Sequence, residues 1–120
     1  MMELPKIETL SAVLNLPIVE VFELNGEVCV RISGEPSSVH RCHNRYELAH
    51  KCKEWAYKNK FSISSAKTLH DGWIAEITGQ VMFKASTEPE AVFKACDWIF
   101  DNTKPTEATF KPKGVVRKLF

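Results

Sequence analysis

The chain has 120 residues, of which 44% are hydrophobic and 26% charged, and its net charge is +1. That length suits a single domain with apolar mass enough for its own core, which excludes the polar composition of a disordered chain. No apolar run approaches the roughly 20 residues that span a bilayer, and a near-neutral total does not describe a dedicated nucleic-acid binder.

The first expected element is a short helix. In "KIETLSAVLNLP", Ile7, Leu10, Val13 and Leu14 recur at helical spacing ahead of Pro17. "VEVFELNGEVCVRIS" then places two β-rich runs around Asn25-Gly26, a strong signal for a two-residue hairpin. That turn pairs Phe22 with Cys29, Val21 with Val30, Glu20 with Arg31, and Val19 with Ile32. One face then carries Val19, Val21, Val28, Val30 and Ile32. The other carries Phe22, Leu24 and Cys29 beside the Glu20/Arg31 pair. A hairpin with apolar groups on both faces calls for cover on both, so Phe22, Leu24 and Cys29 are expected at a homodimer interface.

Asn44 followed by Glu47 is a capping-box-like start for a helix running to about Lys58, with Leu48, Ala49, Cys52, Trp55 and Ala56 as its inward stripe. "FSISSAKTLH", "WIAEIT" and "VMFKA" read as a three-stranded meander. Its first turn is assigned to Asp71-Gly72, which sets His70 opposite Trp73. Its second is a three-residue loop, Thr78 to Gln80, chosen because it brings Trp73, Ala75 and Ile77 onto one face with Val81, Phe83 and Ala85. Thr87 and Glu90 form the capping box of a second long helix with Pro89 in its first turn. Ala91, Val92, Ala95, Cys96, Ile99 and Phe100 face inward, and "NTKP" stops it.

The expected fold is therefore α+β in a single domain spanning 1–120. Residues 1–43 form a short helix and a β-hairpin. Residues 44–102 form an α-β-β-β-α module, with antiparallel sheet covered by two long helices. Residues 103–120 form a basic tail. That element order is shared by double-stranded-RNA-binding domains and by the phage ABA sandwich domain. Residues 44–102 resemble the second family in "DGWIAEI" and in "KASTEPEAVFKACDWIF". The resemblance implies a phage or prophage origin and supplies no catalytic residues. The first family grips phosphate with lysines where this chain has Thr87, Glu88, Pro89 and Glu90, and carboxylates there repel a phosphate.

Charge is unevenly spread. Residues 1–35 carry two basic and six acidic groups, residues 36–60 six and two, residues 61–102 three and six, and residues 103–120 five and one. Two basic segments thus stand out, 36–60 with Arg41 and Arg45, and the tail. In the tail, Lys111, Lys113, Arg117 and Lys118 stand among Phe110, Val115, Val116, Leu119 and Phe120. A segment whose task is only to stay solvated has no use for large apolar groups, so residues 110–120 are expected to dock on a neighbouring subunit or on a partner.

Phosphate-loop, dinucleotide, nucleophile-elbow and zincin motifs are missing from the sequence. The segment "HRCHNRYELAHKC" gathers histidines and cysteines, but Cys52 belongs to the core stripe while His50 lies about 200° around the helix from it. No metal site, cofactor or catalytic residue is expected. "MMELPKIETL" lacks a basic stretch ahead of an apolar one, so no secretory leader is expected. Reduced thiols and a cytoplasmic location follow, in the host cell if the chain is phage-encoded. The function read from these features is a small non-enzymatic binding protein that binds or sequesters a host protein or a small host-derived ligand, an anti-defence inhibitor among the possible kinds. The alternative is a nucleic-acid-binding accessory protein using residues 36–60 and 103–120, with no membrane involved. Protein purified without chelator is expected to hold well under one equivalent of zinc. A full equivalent by elemental analysis, lost together with the fold on chelation, overturns this reading.

Overall fold

A computed structural model describes residues 2–103. The element order is α1 (Ile7–Leu14), β1 (Ile18–Leu24), β2 (Glu27–Ile32), β3 (Arg41–His43), α2 (Arg45–Lys58), β4 (Ile63–Lys67), β5 (Trp73–Ile77), β6 (Val81–Ala85) and α3 (Glu88–Thr103). The fold is α+β with three helices. Its strands form two small antiparallel sheets, ordered β1-β2-β3 and β4-β5-β6, where the sequence suggested sheet under two long helices.

Helix α1 ends as its sequence dictates. Asn15 adopts the left-handed conformation at φ 56° and returns its N–H to the Ser11 carbonyl, and Pro17 lies just beyond. The hairpin turn places both Asn25 (φ 53°) and Gly26 (φ 80°) at positive φ, as a two-residue turn of this type requires. Its register matches expectation at Glu20–Arg31, Val21–Val30 and Phe22–Cys29. Further out it does not. Ile18, not Val19, opposes Ile32, because the ladder carries an irregularity between Ile18 and Glu20. The extra residue turns Val19 out to 57% exposure and delivers Ile18 to the core.

Strand β3 was not foreseen. Its three residues, Arg-Cys-His, have neither alternation nor β-branching to announce a strand. It pairs with β2 so that Cys42 lies directly opposite Cys29, with their Cα atoms 4.0 Å apart, and the two sulfurs are bonded. The expectation of four reduced thiols is thus corrected. Only a register between strands 13 residues apart in sequence could reveal this pair, and spacing alone does not. Cys52 and Cys96 are free and buried.

Asn44 caps α2 by accepting from the Tyr46 and Glu47 amides, and Leu48, Ala49, Cys52 and Ala56 are buried as the stripe requires. In the second sheet, Trp73 faces Ala85, Ala75 faces Phe83 and Ile77 faces Val81, which is the three-residue-loop register. The β4–β5 turn is longer than expected. Lys67, not His70, opposes Trp73, so residues 68–72 all belong to the connection and His70 is exposed within it. The Thr68 hydroxyl closes that loop by donating to the His70 carbonyl.

Helix α3 is the centre of the molecule. It packs against all three strands of the second sheet and against both other helices. A helix with neighbours on so many sides buries more than one narrow stripe. Ala91, Val92 and Phe93 are all fully buried, and Phe93, absent from the expected inward set, is the largest fully buried side chain among the described residues. The basic tail, with Phe110, Lys111, Lys113, Arg117, Lys118 and Phe120, lies outside the described residues.

Alkylating the denatured, unreduced protein is expected to label two cysteines, Cys52 and Cys96, and all four after reduction. Closing the loop between Cys29 and Cys42 stabilises the fold by about 3 kcal/mol in the chain-entropy account, so Cys42→Ser should lose stability of that order in urea. Four labelled thiols before reduction, or an unchanged midpoint, would contradict the bridge.

Candidate binding groove

The N-terminal segment is laid along α3 by carboxylates. Glu90 Oε2 accepts the Glu3 amide at 2.7 Å. Asp97 Oδ1 accepts both the Lys6 amide, at 3.0 Å, and the Thr9 hydroxyl, at 2.6 Å. Asp101 takes the Lys6 ammonium at 2.6 Å. Positions 90, 97 and 101 are seven and four apart, so they stand on one helical face. Two further contacts finish the strap: the Met2 amide donates to Glu23 Oε1 at 3.1 Å, and Lys94 reaches the Glu3 carboxylate at 3.2 Å.

These carboxylates differ electrostatically. Burial pushes Glu90 up, but the Glu3 amide, the Thr87 hydroxyl and Lys94 outweigh it and hold the carboxyl below its usual range. At Asp97 burial wins. The Thr9 hydroxyl and the Lys6 amide pull its carboxyl down, yet it stays above the usual range.

Held in this way, α1 stands beside the end of α3 and leaves an open groove of about 480 Å³ between them and the entry to β1. Ile7, Leu16, Pro17, Ile18 and Phe100 make it apolar, while Ser11, Asn15 and Glu8 supply polar edges. Its size falls in the range of ligand and peptide pockets. Ile7 is 38% exposed, so an apolar side chain of α1 is open to contact. Such a surface can bury an apolar segment and orient it through one carboxylate. No group of three or more His, Cys, Asp or Glu side chains with metal-holding geometry occurs among the described residues.

The sequence-picked residues lie elsewhere. Arg41 is bound to Glu35 at 2.7 Å, and the Arg45 guanidinium lies 5.4 Å over the Tyr46 ring. Within the same basic segment, Lys53 lies 3.8 Å from Glu88, and a shallow depression on α2 mixes Glu47 and Glu54 with His50 and Lys51. The positive charge of 36–60 is therefore interleaved with carboxylate. Of the residues expected at a dimer interface, Cys29 has no exposed surface and is committed to its disulfide. Phe22 is partly covered by the chain itself, between His40 at 5.5 Å and the Arg31 guanidinium at 5.1 Å. Leu24 keeps 43% of its surface exposed. His43 is a further polar oddity: its buried Nε2 finds no hydrogen-bond partner among the described residues. Burial first, then Lys51 and Arg41, lowers its pKa, which keeps the ring neutral.

Sequence reasoning set Ile7 at helical spacing in α1 and Phe100 on the inward face of α3, and it placed Pro17 at the end of α1. What it missed was their convergence across more than 90 residues of chain, which no local pattern encodes. No family model, curated protein or solved structure matches the chain.

Thr9→Val removes the one hydroxyl that donates to Asp97 among the described residues and leaves a partly buried carboxylate short of a donor. The expected cost is about 2 kcal/mol at neutral pH. A carboxyl with raised pKa favours the fold in its protonated form, and that contribution is lost as pH rises through the folded value. The cost of Thr9→Val should therefore shrink below the ordinary carboxylate range, where Asp97 is protonated in both states. Urea unfolding at the two pH values checks this, and an equal cost at both contradicts it.

Proposed function

We propose that this chain is a small non-enzymatic binding protein that engages a partner protein through the apolar groove between α1 and the end of α3. The observation that carries the reading is the groove itself. It is an open apolar surface with one carboxylate, built on two helices that a network of hydrogen bonds and ion pairs holds in register. Rigid apolar concavities with few polar groups suit protein or ligand capture. A host factor as the partner, and a phage or prophage source, rest on the resemblance of residues 44–102 to the phage ABA sandwich domain. Inhibition of host defence is one outcome such capture can have.

No helix among the described residues is long and apolar enough to cross a membrane. The cytoplasm remains the proposed location. The Cys29–Cys42 bridge pulls the other way, because reducing compartments keep such thiols open. The nucleic-acid alternative has the basic count of 36–60 on its side, but the ion pairs of Arg41 and Lys53 and the carboxylates on α2 dilute that surface.

Wild-type protein and an Ile7→Glu variant, immobilised in parallel, separate the readings. We expect stoichiometric retention of one host protein that survives high salt and is lost with Ile7→Glu, since a charge in the groove abolishes apolar burial. Retention on heparin that falls steeply with salt, and is untouched by Ile7→Glu, contradicts the proposal and favours nucleic acid.

A further inference from the structure

We propose that the Cys29–Cys42 bridge is a redox latch: a dithiol reductant opens it by attack on Cys42, and opening frees residues 33–43 from the first hairpin. The inference goes beyond the groove and does not rest on it.

The first observation is the asymmetry of the bridge. Cys29 has no exposed surface, while Cys42 is exposed on the edge strand β3. An incoming thiolate therefore meets the Cys42 sulfur, and Cys29 is the leaving group. A bridge sealed in a core offers neither sulfur to attack.

The second is how little else holds the segment. No residue from Ser33 to His43 is buried. Strand β3 meets β2 through three residue pairs and forms the edge of its sheet. An edge strand that short is marginal without further support. The Arg41–Glu35 ion pair lies within the segment and ties it to itself. The buried His43 Nε2 finds no hydrogen-bond partner among the described residues. Between its ends the segment meets the hairpin where Arg31 donates to the Ser37 carbonyl and His40 packs edge-on against the Phe22 ring. Such solvent-exposed contacts open easily, so the covalent bond is what keeps them in place.

The third is what the segment covers. Phe22 and Cys29 oppose each other across the hairpin and stand on one face. With the bridge closed, Cys29 is sealed and Phe22 is partly covered. Release of residues 33–43 uncovers both, so the two redox states present different surfaces there.

The chemistry is ordinary thiol–disulfide exchange. One thiolate of the dithiol attacks Cys42 Sγ. The S–S bond breaks, and its electron pair leaves on Cys29 Sγ, which takes a proton from water. The reductant's second thiolate then attacks its own sulfur in the mixed disulfide and displaces Cys42 Sγ, which is protonated in turn. Two electrons pass, the dithiol becomes a disulfide, and the protein gains two thiols. The latch is closed where disulfides persist and open where dithiol reductants are maintained.

The test adds dithiothreitol to the folded full chain without denaturant, followed by a pulse of iodoacetamide and mass spectrometry of peptides. Cys29 and Cys42 should both be labelled while Cys52 and Cys96 stay protected. Hydrogen exchange in peptides covering 33–43 should rise about ten-fold or more on reduction, with peptides of α3 unchanged. A brief glutathione pulse quenched in acid should leave its adduct on Cys42. A bridge that opens only in denaturant overturns the proposal, as does a glutathione adduct on Cys29. Label on Cys42 with Cys29 still protected, or unchanged exchange of 33–43, also overturns it, because the segment has then stayed seated. Labelling of all four cysteines together overturns it as well, since the whole fold rather than a latch has opened.

Discussion

The structure depends on one arrangement of carboxylates. Glu90, Asp97 and Asp101 stand on a single face of α3 and accept the Glu3 amide, the Lys6 amide, the Thr9 hydroxyl and the Lys6 ammonium. An extended segment such as residues 2–6 has backbone amides that no helix or sheet satisfies, and burying them unpaired is costly. The acidic face of α3 satisfies two of them. It thereby fixes where α1 begins, and α1 carries the wall of the groove. The other faces of α3 are apolar and pack on the second sheet and on α2. One helix thus joins the two sheet systems, by burial on one side and by hydrogen bonds on the other.

The arrangement has an electrostatic cost that its geometry explains. Asp97 lies deeper than an ion prefers, and its carboxyl stays above the usual range despite two donors. Glu90, with a backbone amide, a hydroxyl and a lysine around it, goes the other way. The two shifts act oppositely on stability. The Asp97 contribution is present at low pH and lost as pH rises, whereas that of Glu90 is present above the ordinary carboxylate range and lost as pH falls. Lys6 adds an exposed ion pair of small value, so the amide and hydroxyl bonds matter more than the ammonium.

Much of the local structure was legible in the sequence. Asn25-Gly26, Asn44 and Thr87 each carry their own chemistry, and the turn and caps stand where those residues placed them. The Thr78–Gln80 loop followed from asking which register gives a coherent apolar face. What escaped were features set by tertiary partners. Val19 looks like a core residue until the irregularity in β1 sends Ile18 inward. Strand β3 exists because Cys42 meets Cys29. Phe93 is buried because α3 has neighbours on several sides. The same holds for the groove. Ile7, Pro17 and Phe100 were each legible, but Asp97 read as a polar helix position, and nothing local tells that it binds Thr9.

Function follows from that placement. If the carboxylate face holds α1 against α3 in solution, the groove is a permanent, shaped surface, ready for a partner. If it does not, α1 is a loosely attached helix and no groove exists. Native-state hydrogen exchange at the Glu3 and Lys6 amides tests this most directly. The account predicts that both are protected to a degree comparable with the Leu10 amide, which bonds to the Lys6 carbonyl inside the first turn. Exchange of Glu3 and Lys6 at the rate of an unstructured chain, with Leu10 still protected, would contradict it.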